Sequence, residues 1–405
     1  MSTGVQVWED AWRRLTGLRS EDGTDPLFPG VVLLAGTPAG PIFSRAAGWA
    51  RCYADGSGVL LGDEDRVPMR PDTIFDLASV SKLFCSIVIM KLVERGLVDL
   101  DRPVVDYLEE FGRPTPAKSA ITVRRLLTHT SGFPAELPLW REHRNPESRI
   151  RGALTAELIA EPGTAYCYSD LNLITLGELA RRSTGSGLDE LVAELITRPL
   201  GMVDTGYRPA PGIRSRTAAT EYQRIPDRGL VWGEVHDENA WSLDGVAGHA
   251  GVFSTAADLA LLADAVIAND RDGTGPLLPV ELFTAMVTNQ TPEFDGHDHG
   301  LGFELNQPWY MGRSAGPRTI GHTGYTGTSL VIDLDRGGYV ILLTNRVHPS
   351  RHRGTVNPAR ALVGDALADT LGEDRTTPGL GAGSAGDDLD RSAVDGGVGG
   401  GPAGQ

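Results

Sequence analysis

The spacing of apolar residues predicts three different elements in the first seventy residues of the chain. Residues 5–18 carry apolar side chains at helical intervals, which predicts an amphipathic helix. Two apolar runs at 30–36 and 41–50 flank the turn sequence TPAG, and this arrangement predicts a β-hairpin. The polar, Gly-rich stretch 54–73 predicts a loop.

The longest apolar run extends from Ser79 to about Glu94 and contains the sequence LFCSIVIMKLV. A run of more than about twelve residues is longer than an ordinary buried strand, so we predict a buried helix. Gly96 marks the predicted end of this helix.

Helical periodicity dominates residues 104–290, where Gly and Pro separate the helical segments. Residues 205–250 show no regular spacing, and a loop of this length inside a compact domain is usually functional. The predicted helices of this region cover residues 171–183, 188–197, 255–268 and 280–289.

Extended segments return towards the C-terminus. A closing helix over 357–371 follows them, with Asn357 as its N-cap and Pro358 at its first position. Residues 373–405 are rich in Gly, Ala and Asp, which predicts a disordered tail. The predicted strands cover residues 300–307, 328–334 and 338–347.

Strands at both ends of the chain and helices between them predict an α+β architecture. We expect one antiparallel sheet from the N- and C-terminal segments, flanked by helices and carrying an inserted, mainly helical domain. The α/β part would cover about 1–103 and 291–372, and the insertion about 104–290. The active site would lie in the cleft between the two parts.

Composition narrows the possible partners and the compartment. The chain has 405 residues and a formal net charge of -16, and an acidic surface repels phosphates, so we expect no nucleic-acid partner and no anionic membrane. We find no signal peptide or membrane-spanning stretch, and the widely spaced Cys52, Cys85 and Cys167 indicate reduced thiols. These features predict a cytoplasmic location.

One pair of residues in the apolar run suggests chemistry. Ser79 and Lys82 are three positions apart and share a helix face. Burial would lower the pKa of Lys82 and leave a neutral amine that can accept the Ser79 proton. The chain has 3 lysines among 37 Lys and Arg residues, and arginine could not act as such a base. An N-cap serine with a solvent-exposed lysine is the alternative, and Ser81 is a second nucleophile candidate on a different face.

Two later segments carry further candidate chemistry. Tyr168-Ser169-Asp170 opens a predicted helix with Asp170 as its N-cap. His322-Thr323-Gly324 precedes a predicted strand, where the small glycine would let a substrate approach backbone N–H groups. Taken alone, the two segments are better explained by aromatic packing at a helix start and by a Gly-rich turn.

Taken in order, the three segments resemble the motifs of serine β-lactamases and penicillin-binding proteins. The sequences LLTHTSGFP at 126–134, GHAGVFSTAADLA at 248–260 and GHTGYTGTSLVID at 321–333 are similar to the branch of class C β-lactamases, D-aminopeptidases, family VIII carboxylesterases and transesterases. The resemblance extends from about Val5 to Leu371.

This resemblance implies a role for each matching residue. Ser79 would be the acylated nucleophile, and Lys82 and Tyr168 would share the role of general base, with tyrosinate character at Tyr168 induced by Lys82. The backbone N–H groups of Ser79 and Tyr325 would form the oxyanion hole. The implied substrate-binding residues are Asp170, His322, Thr323, Gly324 and Tyr325.

Two positions depart from the β-lactamase motifs. Asp170 stands where asparagine is usual, and His322 stands where lysine is usual. A neutral histidine binds a carboxylate less well than lysine does, so we do not expect an efficient β-lactamase.

The sequence therefore predicts a serine enzyme that transfers the acyl group of a small-molecule ester or amide. With water as the acyl acceptor the enzyme would be an esterase or amidase. With an alcohol or amine as the acceptor it would be an ATP-independent transacylase, and such a transacylase could serve natural-product biosynthesis. The alternatives are a D-amino-acid peptidase, a weak β-lactamase or a non-catalytic binding protein. We set an α/β-hydrolase aside because we find no Gly-x-Ser-x-Gly sequence and therefore no nucleophile elbow.

The remaining polar residues give weaker indications. His297 and His299 lie in an acidic loop and could bind a metal, but we expect solvated side chains, no metal site and no cofactor. A set of polar residues in the 205–250 stretch could line the pocket or form a hydrogen-bonded surface loop. The set consists of Glu234, His236, Asp237 and Asn239.

Overall fold

The structure of the chain is a computed structural model that describes residues 3–18, 27–112, 115–272 and 275–372. The predicted disorder of residues 373–405 lies outside the described residues, and the limits of the inserted domain remain a prediction. The strands are β1 Gly30–Thr37, β2 Gly40–Arg51, β3 Val67–Pro68, β4 Phe75–Asp76, β5 Gly206–Tyr207, β6 Ala219–Arg224, β7 Asp227–Trp232, β8 Val252–Ser254, β9 Glu304–Leu305, β10 Thr319–Thr323, β11 Thr328–Asp333 and β12 Gly338–Thr344.

Helices fill most of the chain between the strands. Within the described ranges, none of them is both long enough and apolar enough to cross a bilayer. The helices are α1 Thr3–Gly17, α2 Ser81–Glu94, α3 Val123–Leu127, α4 Leu139–Glu142, α5 Pro146–Thr155, α6 Asp170–Thr184, α7 Leu188–Val192, α8 Arg198–Leu200, α9 Glu238–Ser242, α10 Ala256–Asp272, α11 Val280–Val287, α12 Pro308–Met311 and α13 Asn357–Leu371.

The predicted hairpin β1–β2 is part of a seven-stranded antiparallel sheet. The strand order is β3-β2-β1-β12-β11-β10-β9, so the first strand of the chain pairs with the last in the middle of the sheet. The expected sheet from N- and C-terminal segments is thereby confirmed. Most of the helices lie between β3 and β9 in the chain.

The two faces of the sheet are both covered, because successive residues of a strand point to opposite sides. On β1, Val31 and Leu33 pack with apolar residues of α1 and α13. Val32 and Leu34 face the larger core, which contains the apolar residues of α2 and α10. The helix α2 therefore lies inside the protein, as its apolar residues on all sides predict.

Several element boundaries differ from the sequence prediction. Asp170 is the first residue of α6 and not its N-cap, because the extended backbone of Ser169 lets its hydroxyl accept from the Leu171 N–H at 3.2 Å. Asn357 is likewise the first residue of α13, and its side chain accepts from Arg360. The predicted strand 300–307 shrinks to the two residues of β9.

The 205–250 stretch is not an irregular loop. It contains the hairpin β6–β7 and the short helix α9. The strand sequences ATEYQR and DRGLVW are rich in charged residues, and this two-stranded ribbon buries little apolar surface. Its strands therefore lack the alternation by which a half-buried strand is recognised.

Candidate active site

Ser79 and Lys82 are in direct contact, as their spacing predicts. Ser79 lies in a 3-10 turn, Ala78–Val80, directly before α2, and Lys82 is the second residue of α2. The Lys82 Nζ donates to the Ser79 Oγ at 2.8 Å. Ala78 has φ +47°, a backbone conformation that residues with a Cβ rarely adopt. Such backbone strain clusters at functional sites.

The charge of Lys82 differs from the prediction. Its Nζ lies 2.8 Å from the Asp170 Oδ1 at the start of α6. Burial favours the neutral amine, but the Asp170 and Tyr168 side chains raise the pKa of Lys82 above its ordinary value. The expected neutral amine is therefore wrong for this state of the protein: Lys82 is an ammonium ion between a serine and a carboxylate.

Tyr168 lies beside this pair, in the extended segment that leads into α6. The Lys82 Nζ is 4.6 Å from the centroid of its ring. Burial raises the pKa of the Tyr168 phenol, and the positive charge of Lys82 offsets only part of this effect. The predicted tyrosinate character is therefore wrong at rest, where Tyr168 keeps its proton and can donate it.

Two backbone N–H groups near Ser79 are not used in hydrogen bonds within the described part of the fold. The N–H groups of Ser79 and Tyr325 have no hydrogen-bond acceptor among the described residues. Between them, Gly324 lies against the Leu77 carbonyl, and a Cβ on Gly324 would stand 2.3 Å from that oxygen. Only glycine allows the Tyr325 segment to approach the Ser79 turn this closely.

Asp76 is a buried carboxylate that anchors the Ser79 turn, and the sequence analysis did not identify it. It accepts from the Ala78 N–H at 2.8 Å and from the His236 N–H at 2.6 Å. The hydroxyl of Thr326 donates to the Asp76 carbonyl at 2.8 Å. An acidic residue in the otherwise buried sequence IFDLA is the signal that could have identified it.

Two buried arginines hydrogen-bond to the backbone of Gly324 and Tyr325. The sequence analysis did not identify them. Arg346 donates to the Tyr325 carbonyl at 2.8 Å. Arg360, on α13, donates to the Gly324 carbonyl at 2.7 Å. Both arginines come from elements far along the chain, so no local pattern points to them.

His322 is the fourth residue of β10, and the predicted strand follows the segment His322-Thr323-Gly324 as β11. Its Nδ1–H donates to the Thr323 carbonyl at 2.9 Å. Its ring lies 6.0 Å from that of Tyr168, and its buried Nε2 has no hydrogen-bond partner among the described residues. Thr323 pairs with Ser329 of β11. His322 is therefore positioned behind Tyr168 as a hydrogen-bond acceptor.

A second charged pair lies behind Asp170. The Nε2 of His249 donates to the Asp237 Oδ1 at 2.8 Å, and the His249 carbonyl is 3.4 Å from the Lys82 Nζ. Despite the cost of burial, each partner stabilises the charged form of the other, which raises the pKa of His249 and lowers that of Asp237. Asp170, Asp237 and His249 each place one atom within 4.8 Å of the others. The carboxylate of Asp170 is already neutralised by Lys82, and that of Asp237 by His249.

The other polar residues of the 205–250 stretch have structural roles. His236 contacts Glu221 at 2.9 Å, and Asn239 links α9 to the start of α4 through Leu137 and Trp140. Glu234 is exposed and lies 3.4 Å from Arg228. Of the four candidates, only Asp237 belongs to the charged groups around Lys82.

The two histidines of the acidic loop are not simply solvated. His299 is buried, and its ring lies 5.1 Å from that of His129, which itself contacts Tyr168. His297 stacks on Tyr166 at 4.5 Å. The prediction of a solvated side chain is therefore wrong for His299, which packs close to Tyr168 through His129, whereas His297 is half-buried.

The hydroxyls of two other serines, Ser81 and Ser314, form hydrogen bonds with backbone groups and are not placed as nucleophiles. The Ser81 Oγ is buried and accepts from the Val252 N–H at 3.0 Å. Residues 312–316 do have the spacing Gly-x-Ser-x-Gly, but Ser314 is buried in a 3-10 turn and donates to the Met311 carbonyl. This turn follows a helix and not a strand, so it is not a nucleophile elbow.

Comparison with known proteins places this geometry in a family. The family model described as Beta-lactamase matches residues 3–365. A protein of Escherichia coli O157:H7, described as a putative D-alanyl-D-alanine carboxypeptidase, is 32% identical over 359 residues, which are 80% of each chain.

Solved structures show the same fold. EstCE1, described as a hydrolase with promiscuous acyltransferase activity, has a TM-score of 0.68 and 22% identity over 90% of this chain and 100% of its own. A class C β-lactamase mutant has a TM-score of 0.68 and 17% identity over 89% of this chain and 98% of its own. The chain belongs to the β-lactamase family and is a serine acyl-transfer enzyme of the hydrolase type.

Proposed function

We propose that this enzyme forms an acyl-Ser79 intermediate from a small-molecule ester or amide. The observation that carries the proposal is the 2.8 Å contact between the Ser79 Oγ and the Lys82 Nζ at the start of a buried helix. The free N–H groups of Ser79 and Tyr325 would stabilise the oxyanion of the tetrahedral intermediate.

Lys82 and Tyr168 would share the proton transfers. The ammonium of Lys82 must lose its proton before it can accept that of Ser79. Once acylation has begun, the re-protonated Lys82 or the Tyr168 hydroxyl would protonate the leaving group. The Asp170 carboxylate opposes the first of these steps, because it stabilises the ammonium.

The acyl group would then pass to water, an alcohol or an amine. Hydrolysis and transacylation use the same groups and differ in how well the site excludes water. The description of EstCE1 as a hydrolase with acyltransferase activity supports both reactions as candidates for this enzyme. Natural-product biosynthesis and a cytoplasmic location remain predictions from the sequence.

A D-amino-acid peptidase is the second candidate, and the curated relative's description as a putative D-alanyl-D-alanine carboxypeptidase favours it. Substrates of a carboxypeptidase end in a carboxylate. The unprotonated Nε2 of His322 cannot pair with a carboxylate, which favours esters and amides without one.

Intact-mass spectrometry after treatment with a fluorophosphonate ester tests the acyl-enzyme. We expect one covalent adduct on the unmodified protein and none on Ser79→Ala. Ser81→Ala is the matched control, two residues away, and should still be labelled. An adduct of equal yield on Ser79→Ala would refute the proposal.

A further inference from the structure

Two buried guanidinium groups hold consecutive carbonyls in the segment that follows β10. Arg360 donates to the Gly324 carbonyl, and Arg346 donates to the Tyr325 carbonyl. Each arginine is only 7% exposed. Burying a cation costs free energy unless a negative charge compensates it. Two buried cations on adjacent carbonyls therefore indicate a role beyond the packing of the fold.

The hydrogen bonds that the structure describes for Arg360 all end on neutral oxygens. The guanidinium donates to the Asn357 Oδ1 at 2.8 Å and to the carbonyls of Gly324 and Thr328 at 2.7 and 3.0 Å. Burial lowers the pKa of Arg360, and the negative charge of Glu304 offsets only part of this effect. A guanidinium nevertheless keeps its proton at neutral pH, so the positive charge acts on the carbonyls that it contacts.

The Gly324 carbonyl and the Tyr325 N–H belong to one peptide group. This peptide is trans, so its carbonyl and its N–H point in opposite directions. A charged donor on the carbonyl oxygen polarises the whole group, and hydrogen bonds at its two ends strengthen each other. The Tyr325 N–H, which has no acceptor among the described residues, is therefore a strengthened donor that remains available to a ligand.

Contacts on both sides of this peptide hold it beside the Ser79 turn. A Cβ on Gly324 would stand 2.3 Å from the Leu77 carbonyl oxygen, and the Thr326 hydroxyl donates to the Asp76 carbonyl at 2.8 Å. Asp76 and Leu77 directly precede the 3-10 turn that carries Ser79. The segment with the polarised N–H therefore lies against the residues before the nucleophile, and the guanidinium lies on the carbonyl side of the peptide.

We propose that Arg360 is a positioning residue for acyl transfer: its charge polarises the Gly324–Tyr325 peptide, so that the Tyr325 N–H binds the oxyanion more strongly. This inference rests on the acyl-Ser79 function proposed above and adds to it a residue that does not touch the substrate.

The polarised N–H acts on the charge that forms during the reaction. When the Ser79 oxygen bonds to the substrate carbonyl carbon, the hydroxyl proton passes to the deprotonated Lys82, and the carbonyl π pair becomes a lone pair of the oxyanion. Breaking the bond to the leaving group re-forms the carbonyl, and the leaving group takes the proton. The N–H meets more negative charge in the intermediate than in the substrate, so a stronger donor lowers the barrier.

Arg360→Gln tests the charge of the guanidinium. Glutamine keeps an N–H that can donate to the Gly324 carbonyl but carries no charge. Acylation and deacylation both pass through a tetrahedral intermediate. We therefore expect kcat for p-nitrophenyl acetate to fall about tenfold with KM nearly unchanged, a smaller loss than the removal of a whole oxyanion donor causes. A folded Arg360→Gln with the parental kcat would overturn the inference.

Arg360→Lys separates the charge from the shape of the side chain. Lysine keeps the positive charge but lacks the planar fork of the guanidinium, and kcat should stay within about threefold of the parent value. If Arg360 only supported the fold, kcat would follow the melting temperature in both variants, and that result would overturn the inference. Arg313→Gln is the matched control and should keep kcat, because Arg313 pairs with Asp369 on the same helix α13 but at the exposed surface.

Two further observations separate the possible failures. If Arg360→Gln does not fold, Arg360→Lys decides, since a folded lysine variant whose kcat is reduced about tenfold or more would overturn the inference. Fluorophosphonate labelling of Ser79 in the unmodified protein reports on the proposed function alone. Labelling together with a parental kcat in Arg360→Gln would refute only this inference, whereas absence of labelling would refute both.

Discussion

His322 donates from its Nδ1–H to the carbonyl oxygen of Thr323, so its buried Nε2 presents a lone pair. Burial and the nearby charge of Lys82 lower the pKa of His322 to about 3. The imidazole is therefore neutral throughout the physiological range, and the site lacks a cation where β-lactamase motifs place a lysine.

We predict that His322→Lys gains reactivity towards substrates with a carboxylate. Acylation by benzylpenicillin, followed by intact mass, should become about tenfold faster or more, since the new ammonium can pair with the carboxylate. His352→Lys, at an exposed position, is the control and should show no gain. If the unmodified protein is acylated as fast as His322→Lys, the neutral histidine is not what limits β-lactam recognition.

Lys82→Arg should lower kcat for p-nitrophenyl acetate by about a thousandfold, because a guanidinium keeps its proton and cannot act as a base. The charge pair with Asp170 would remain, so the thermal transition should change little. Lys91→Arg on the same helix, where the lysine pairs with Glu94, should keep full activity. Substantial turnover by Lys82→Arg would exclude Lys82 as the base.

Tyr168→Phe should lower kcat by about 10²- to 10⁴-fold, the usual worth of a positioned proton donor or acceptor. The phenyl ring keeps the contacts with Lys82 and His129, so circular dichroism and the melting temperature should stay close to the parent values. A variant with parental kcat would show that Lys82 handles both proton transfers without the phenol.

Lys118 should make stability depend on pH in the alkaline range. It is fully buried, donates to the Leu154 carbonyl at 2.7 Å, and burial lowers its pKa from 10.5 to about 8. Between these two values the unfolded chain binds more protons than the folded one, so stability should rise with pH by up to about 3 kcal/mol.

Urea unfolding between pH 7.5 and 10 checks this prediction. Lys118→Met, which keeps an unbranched side chain without the charge, should lack this component, so the free-energy difference between the two proteins should change with pH. A constant difference would mean that Lys118 keeps its proton inside the folded protein.

Gly324→Ala should damage both stability and activity. The new Cβ would stand 2.1 Å from the Thr328 Oγ1 and 2.3 Å from the Leu77 carbonyl oxygen, so the Tyr325 segment must move away from Ser79. We expect a loss of about 1–3 kcal/mol in unfolding free energy and a fall in kcat. Gly212→Ala, where a Cβ meets nothing within 4 Å, is the control.

The sequence predicted those parts of the fold that local patterns specify. Two apolar runs around a Gly/Pro turn identified the hairpin β1–β2, the length of the apolar run identified α2, and a three-residue spacing placed Ser79 against Lys82. The charge of Lys82 was predicted wrongly, because it depends on Asp170, which lies on another helix.

Other errors have the same origin in contacts between distant segments. Lys118 has no apolar run around it, and yet it is buried against Phe111 and Phe133. The hairpin β6–β7 carries polar side chains on both faces, so its strands lack a readable alternation. Arg346 and Arg360 reach the site from the far end of the chain, where local spacing gives no indication of a role.

The pairing of β1 with β12 has a consequence for how the protein forms. The Gly30 N–H donates to the Asn345 Oδ1, 315 positions away in the chain. During synthesis, one edge of β1 therefore has no partner until nearly the whole chain has left the ribosome. A chain that stops before β12 would expose an apolar strand edge, which is a template for aggregation. Completion of the sheet is thus tied to translation through β12.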